Sequence, residues 1–458
     1  MTAPLWTSAA LRQATGGTAP DGIAVTGVSI DSRSVAPGDL FVALRDARDG
    51  HDFAPGALAA GAALAMVDRD IPAGPTLRVT DTLAGLHALG AAGRARAKAR
   101  VVAVTGSVGK TSTKEMLARG LAACGSVHAA QASHNNHWGV PLTLARLPAD
   151  ADYAVAEIGM NTRGEIAPLA RLARPHVAVV TIIAPAHLGR LGSLETIAEE
   201  KADILLGLPQ DGVAILPSEG AQSDLLMRRA REAGIRTITF GEGPTAEARL
   251  TGWSGDADTQ SFRVHFAGQN FDLRLDTPGR HMALNAVAAL AAAASLGADP
   301  VHFAAGLSGF SALAGRGARG QIALPGGTAT LLDESYNANT VSMRAALAVL
   351  AVQKGKRRIA VMGDMLELGD EAAAMHASLA PDAEAAADLV FTCGPAMGHL
   401  HQALPPAKRG AHAATSAELA PIVAAALRPG DAVLVKGSLG SRMAVIVQAI
   451  RQPQGASA

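Results

Sequence analysis

Residues 101–121, VVAVTGSVGKTSTKEMLARGL, constrain the fold more than any other stretch of the chain. The apolar run Val101–Thr105 passes without a break into the turn Gly106–Gly109. A segment follows in which Met116, Leu117 and Leu121 recur at helical spacing. A strand, a tight turn and a helix in that order bring backbone N–H groups and the positive end of a helix to one point. The pattern then repeats. YAVAEIG (153–159), VAVVTII (177–183), GVAIL (212–216) and RTITFG (236–241) are apolar runs of the kind buried on both faces of a parallel sheet, and the segments between them can hold crossover helices. After the glycine-rich LAGRGARG (313–320) a second series begins, ATLLDE, RIAVMGD, DLVFTCG and DAVLVKG, with alanine-rich helices between. Before residue 98, short β-rich runs alternate with Pro-Gly turns and one alanine-rich helix.

With 458 residues the chain has room for roughly three domains of about 150 residues each. The changes of pattern place them at 1–98, 99–313 and 314–458. The fold class is α/β. Aromatic residues make up only 3%, so alanine, valine and leucine must fill the interior. Forty basic residues balance forty acidic ones, which argues against nucleic acid or an anionic membrane as the main partner and leaves anion binding to local sites.

Cys124 and Cys393 lie in no metal-ligand spacing and are expected to be buried thiols in a reduced cytoplasm. The N-terminal stretch does not have the pattern of a secretory signal. ALNAVAALAAAASLGA (283–298) is shorter than the ~20 residues of a membrane span and reads as a buried helix. The basic GRARAKARV (93–101) is expected to be the solvated end of a helix, and the tail RQPQGASA to be disordered.

The turn at 106–109 resembles a nucleotide-binding loop with Val104 in place of its first glycine. Its Lys110 can neutralise β- and γ-phosphates, and the Thr111 hydroxyl can ligate Mg²⁺. In open α/β sheets ligands bind beyond the carboxyl ends of the strands. Glu157 and His187 both follow such ends and can hold a metal together with Thr111 or the phosphates. SHNNHWGVPLTL (133–144) concentrates His134, Asn135, Asn136 and His137, and the asparagine amides suit either a substrate contact or an Asx cap. From spacing alone, Lys201 in ETIAEEKADI reads as an exposed helix lysine. Asp333 and Glu334 end a strand in LLDESYNANT, Tyr336, Asn337 and Asn339 follow, and Arg316 lies upstream; these suit ribose, metal, phosphate or amine binding, or a domain-junction ion pair.

Taken in order, DSRSVAPGDLFVAL, TGSVGKTSTKE, NNHWGVPLTL, EIGMNTRGEI, AHLGRLGSLETIAEEKADI, GRHMALNAVAA, GRGARG, DESYNANTVSMRAAL, GDMLELG and LVKGS resemble the Mur ligase family over nearly the whole chain. Within that family the series is most similar to the ligases that add D-alanyl-D-alanine to UDP-N-acetylmuramoyl-tripeptide. The resemblance implies a smaller α/β N-terminal domain for the UDP-sugar, a central parallel-sheet P-loop ATPase domain and a Rossmann-like C-terminal domain, in a monomeric cytoplasmic enzyme. It also implies an acyl-phosphate route with ATP and two Mg²⁺ ions.

By position, the resemblance gives Gly106, Ser107, Val108, Gly109, Lys110, Thr111, Ser112, Asn285, Arg316 and Asp333 to the nucleotide. Thr111, Glu157, His187 and a carbamylated Lys201 go to the metal. Ser32, Arg33, Asn136, Tyr336, Asn337, Asn339 and Lys436 go to the substrates. Met282 departs from the family's asparagine, Glu334 from its aspartate and Thr340 from its proline. Two alternatives are the neighbouring ligase that adds the third amino acid, whose Asn-Pro-Arg signature is not found here, and a non-catalytic nucleotide-binding regulator.

Overall fold

The computed structural model describes residues 4–452 apart from Ala73, Ala132 and His187. The expected tail beyond 452 therefore lies outside the described residues. Four sheets organise the chain. The N-terminal part holds the antiparallel pair β1 (Trp6–Thr7) and β2 (Ala24–Val25). Beside it β3 (Gly27–Ser29), β4 (Asp39–Val42), β5 (Leu64–Val67) and β6 (Thr76–Arg78) form a parallel sheet in chain order.

The central sheet has nine strands: β7 (Arg100–Thr105), β8 (Val127–Ala129), β9 (Tyr153–Glu157), β10 (Val177–Val180), β11 (Val213–Pro217), β12 (Arg236–Gly241), β13 (Ala248–Gly255), β14 (Gln260–Phe266) and β15 (Gln269–Leu275). Their order is 15-14-13-12-11-10-7-9-8, parallel from β8 to β13 and antiparallel across the last two pairings. The C-terminal sheet is built from β16 (Ala318–Leu324), β17 (Gly327–Glu334), β18 (Arg357–Gly363), β19 (Leu389–Cys393), β20 (Arg409–Ala413) and β21 (Asp431–Lys436). Its order is 16-17-21-18-19-20, with β16 alone antiparallel.

The apolar runs of the sequence become the parallel strands because both of their faces are covered. Along β7, Val102 and Val104 face one core and Ala103 another, as a period of two requires. The helix Arg280–Ser295 buries residues 282, 283 and 286–293, and its alanines let it lie close against the helix Lys110–Leu121. The hairpins β13–β15 escaped the apolar-run criterion because they alternate: β15 reads exposed, buried, exposed, buried over its second half.

Two expectations are corrected. The basic stretch at 93–101 is solvated only in part: Lys98 and Arg100 are exposed, but Arg94 and Arg96 are not. Arg94 is 9% exposed, and its guanidinium donates to the carbonyls of Ala173 and Arg174 at 2.8 and 2.9 Å. Arg96 lies over the Trp6 ring at 3.6 Å and donates to the Leu147 carbonyl. Long stems that bury while the guanidinium satisfies carbonyls explain this. The helix Thr82–Arg96 that carries them meets the helix Gly139–Ala145 backbone to backbone. A Cβ at Gly93 would collide with the Leu144 carbonyl, and one at Gly90 would sit 3.0 Å from the Pro141 Cα. Cys393 is buried, with burial pushing its thiol pKa up to about 11, but Cys124 is only half-buried. Among the described residues no helix is long and apolar enough to cross a membrane.

Candidate active site

At the carboxyl end of β7 the chain turns through Gly106 (φ 142°) and Gly109 (φ 86°) before the helix Lys110–Leu121 begins. Both glycines are required. A Cβ on Gly106 would strike the Thr181 hydroxyl, and one on Gly109 would sit 2.7 Å from the Asn285 side-chain oxygen. The loop is bound to the segment after β10. Ser107 Oγ donates to the Ala184 carbonyl (2.8 Å) and accepts from its N–H (3.0 Å), the Ser107 N–H donates to the Ile182 carbonyl (2.8 Å), and the Thr181 hydroxyl donates to the Val108 carbonyl.

No side chain caps the N-terminus of the helix, so its first N–H groups are available to an anion. Lys110 is folded back over the loop, with Nζ donating to the Gly106 carbonyl at 2.7 Å. Burial pulls its ammonium pKa down; the Glu157 carboxylate opposes that fall and Arg316 adds to it.

Glu157 ends β9 beside this loop and is 1% exposed. It accepts from the Thr111 hydroxyl at 2.9 Å and from the Asn135 amide at 2.8 Å. Among the described residues no three His, Cys, Asp or Glu side chains cluster as a metal site. That donor set suits Mg²⁺, which binds through one or two carboxylates, waters and substrate phosphates and not in an all-protein cage.

Lys201 is 1% exposed, on the helix Leu194–Ala202. Burial drives its pKa well below the ordinary lysine value, the charge of Lys110 adds to the fall, and Glu200 opposes it. Surface placement, the reading from spacing alone, is therefore corrected. The signal was present: Lys201 stands four residues after the buried Ile197 and four before the buried Leu205, on the apolar stripe.

The C-terminal part roofs the same space. Arg316 lies over the Tyr336 ring at 4.0 Å and donates to Ser133 Oγ of the central part at 2.7 Å. Lys436, at the end of β21, donates to Glu334 (3.1 Å) and to the Asn337 carbonyl (3.0 Å). Asn339 caps the helix Thr340–Ala351 in a reciprocal box with Ser342. The cavity so enclosed measures about 350 Å³ and is lined by the phosphate loop, Glu157, Asn285, Arg316, Tyr336, Asn337, Asn339 and Lys436, within the range of small-molecule sites.

Other candidates are placed differently. Asp333 and Glu334 alternate along β17, so Glu334 faces the cavity, while the buried Asp333 accepts from Ser335 and lies near Arg451. Asn136 touches the cavity, but its side-chain oxygen accepts from the N–H groups of Trp138 and Gly139, which is the Asx-cap reading. Ser32 and the exposed Arg33 do not line this cavity; Arg33 pairs with Asp31 and holds that carboxyl pKa down to about 2. His187 lies outside the described residues. Asn135, offered by the sequence beside Asn136, lines the cavity, as do Thr181, Glu165, Glu219 and His281, to which sequence reasoning gave no role. Of these, Asn135, Thr181, Glu165 and His281 stood inside motifs that the sequence had already marked.

Known proteins share this architecture. Residues 24–79 match the model of the Mur ligase family catalytic domain, 104–293 that of the Mur ligase middle domain, and 319–439 that of the Mur ligase glutamate ligase domain. A UDP-N-acetylmuramoyl-tripeptide–D-alanyl-D-alanine ligase of Escherichia coli strain K12 is 38% identical over 436 residues, 94% of each chain. A crystal structure of MurF from Acinetobacter baumannii superposes with a TM-score of 0.85 at 32% identity, covering 98% of this chain and 99% of the other. A MurF ligase from Thermotoga maritima in complex with ADP gives 0.76 at 26% identity, over 93% and 97%.

Proposed function

Because the chain belongs to the Mur ligase family, we propose that it joins D-alanyl-D-alanine to the terminal carboxylate of UDP-N-acetylmuramoyl-tripeptide at the expense of ATP. The observation that carries this reading is a single cavity in which a phosphate loop, a carboxylate–hydroxyl pair and a cationic roof from the C-terminal part converge. A scaffold that merely held a nucleotide would have no use for Lys436, Arg316 and Tyr336 in the cavity that the phosphate loop lines.

In the first step a carboxylate oxygen of the tripeptide attacks the γ-phosphorus and ADP departs, leaving an acyl phosphate. In the second the dipeptide amine attacks the acyl carbon, phosphate leaves, and the amine loses a proton. Two anions meet in the first step, so screening dominates. The loop N–H groups and Lys110 hold the phosphates, Asn285 supports the turn at Gly109, and Arg316 adds charge from the roof. Thr111 and Glu157 would hold Mg²⁺, with Asn135 fixing the carboxylate; the ion, when bound, supplies Lewis-acid charge to the phosphoryl oxygens.

Lys201 does not line the cavity but feels the charge of Lys110; burial favours its amine in the neutral, nucleophilic form that adds CO₂, and the resulting carbamate would bring a second anion near the loop. His187 is proposed as a further ligand. The N-terminal part, with Ser32 and Arg33, would hold the sugar nucleotide. A reduced cytoplasm with ATP is the matching compartment.

The test is phosphate release from ATP and Mg²⁺ with UDP-N-acetylmuramoyl-tripeptide, comparing D-alanyl-D-alanine with single amino acids as acceptor. Release dependent on the dipeptide supports the proposal. Release with a single amino acid in its place, or nucleotide binding without amine-dependent release, overturns it in favour of the neighbouring ligase or a regulator.

A further inference from the structure

Two segments that the reaction leaves unused, neither of them lining the cavity, meet between the central and C-terminal parts. One is the short helix Leu188–Leu191 after β10 in the central part; the other is the loop after β18, residues 364–371, in the C-terminal part. The Gly189 N–H donates to the Glu367 carbonyl at 2.9 Å, and the Arg190 guanidinium pairs with the Glu367 carboxylate at 2.9 Å. The two backbones touch at glycines. A Cβ on Gly189 would sit 2.7 Å from the Gly369 nitrogen, and one on Gly369 would sit 2.9 Å from the Gly189 Cα.

Glu367 holds φ at 64°, in the left-handed region where glycine is cheaper than any L side chain. A carboxylate residue kept in that conformation points to a use for its side chain. Each segment is anchored to its own body. Next to Glu367, the N–H groups of Leu366 and Met365 donate to Ser438 Oγ and to His376, so the loop travels with the C-terminal sheet. On the other side, the chain leading into the helix is the one whose Ile182 and Ala184 are bonded to Ser107 of the phosphate loop.

We infer that Glu367 is a positioning residue: with Gly189 and Arg190 it forms a contact that exists only when the C-terminal part has closed over the nucleotide, and that steadies the segment backing the phosphate loop. The contact spans the two bodies, so separating them must break it. Both ion-pair partners are partly exposed, so its strength is that of a surface pair supplemented by a backbone hydrogen bond, enough to bias an equilibrium without locking it. A ligand that requires the closed form then binds with an apparent affinity reduced by the closed fraction.

The inference rests on the ligase reading only for its kinetic readout. The experiment uses full-length Glu367→Arg, Arg190→Glu, the double reversal, and Gly189→Ala, which wedges the backbones apart without touching charge. Spin labels on the central and C-terminal parts report closure with ATP and Mg²⁺ alone, and phosphate release reports KM and kcat. Each single reversal is expected to raise the KM for ATP about two- to fivefold, with a smaller change in kcat, an unaltered melting temperature and a weaker ATP-driven shortening of the distance. The double reversal should restore both readouts, and Gly189→Ala should impair closure at least as much as either charge change. Unaltered closure in all variants overturns the inference whatever the turnover, and so does a double reversal no better than the singles. If ATP-driven closure weakens in the singles and recovers in the double while no dipeptide-dependent phosphate is released, the positioning role stands and the ligase reading falls.

Discussion

Replacing Lys201 by methionine separates a residue kept for function from one kept for packing. Methionine retains an unbranched stem of nearly the same length and removes the amine, so the 1%-exposed site stays filled. Burying a polar group without full compensation costs about 1 to 3 kcal/mol in proteins. Ligand-free Lys201→Met in CO₂-free buffer should therefore be as stable as the wild type or more stable by up to about that amount in urea unfolding. The pH dependence gives a second measure. Burial depresses the folded-state pKa below the unfolded value of 10.5, so below that pH the unfolded chain takes up a proton that the folded chain resists. The contribution of this lysine to stability is thus present above 10.5 and lost as pH falls. Wild-type stability should climb toward pH 10.5, and the variant should lack that climb. Turnover should meanwhile fall by about 10² to 10³, the loss seen when a group organising transition-state charge is removed. A variant destabilised by more than about 1 kcal/mol with its phosphate-release rate intact would show that the amine is structural and would refute the reasoning.

Gly109→Ala should cost about 1 to 2 kcal/mol for a left-handed alanine and crowd Asn285; a KM for ATP within twofold of the wild type would contradict the cradle described here. Arg316→Lys keeps the charge but loses the planar contact with Tyr336 and the hydrogen bond to Ser133, so nucleotide binding measured by calorimetry should weaken by about 0.5 to 2 kcal/mol while the melting temperature holds. His376 accepts from the Met365 N–H and lies 2.6 Å from the Ala372 carbonyl, a pattern only the neutral ring satisfies. Burial lowers its pKa from 6.5, so its contribution is present above pH 6.5 and lost as pH falls. In thermal melts from pH 7.5 to 5, His376→Gln should flatten that decline, and an unchanged slope would assign it to other groups.

What could be read in the sequence depended on whether a local period carried the information. The phosphate loop and the strands at 153–159, 177–183 and 212–216 declare themselves, because two-faced burial leaves an unbroken apolar run. Asp333 and Glu334 show the next level: which of the two faces the cavity follows from strand alternation only once the neighbour of β17 is known. Neither the choice between Asn135 and Asn136 nor the burial of Arg94 has a local signature. Asn135 reaches Glu157 across 22 positions, and Arg94 meets Ala173 across 79. Lys201 sits between these extremes, on an apolar stripe that its acidic neighbours disguise.

The contact of the helices Thr82–Arg96 and Gly139–Ala145 at Gly90 and Gly93 makes the N-terminal sheet and the phosphate loop parts of one body. Under the proposed function, that body grips the sugar nucleotide at one end and presents ATP at the other, so it works as a gauge. One amino acid spans about 3.3 to 3.6 Å when extended. Across a fixed gap, a peptide one residue shorter would fall short of the γ-phosphate by about that span. Selection for a tripeptide would then be a matter of length, set in part by two glycines that lie outside the cavity.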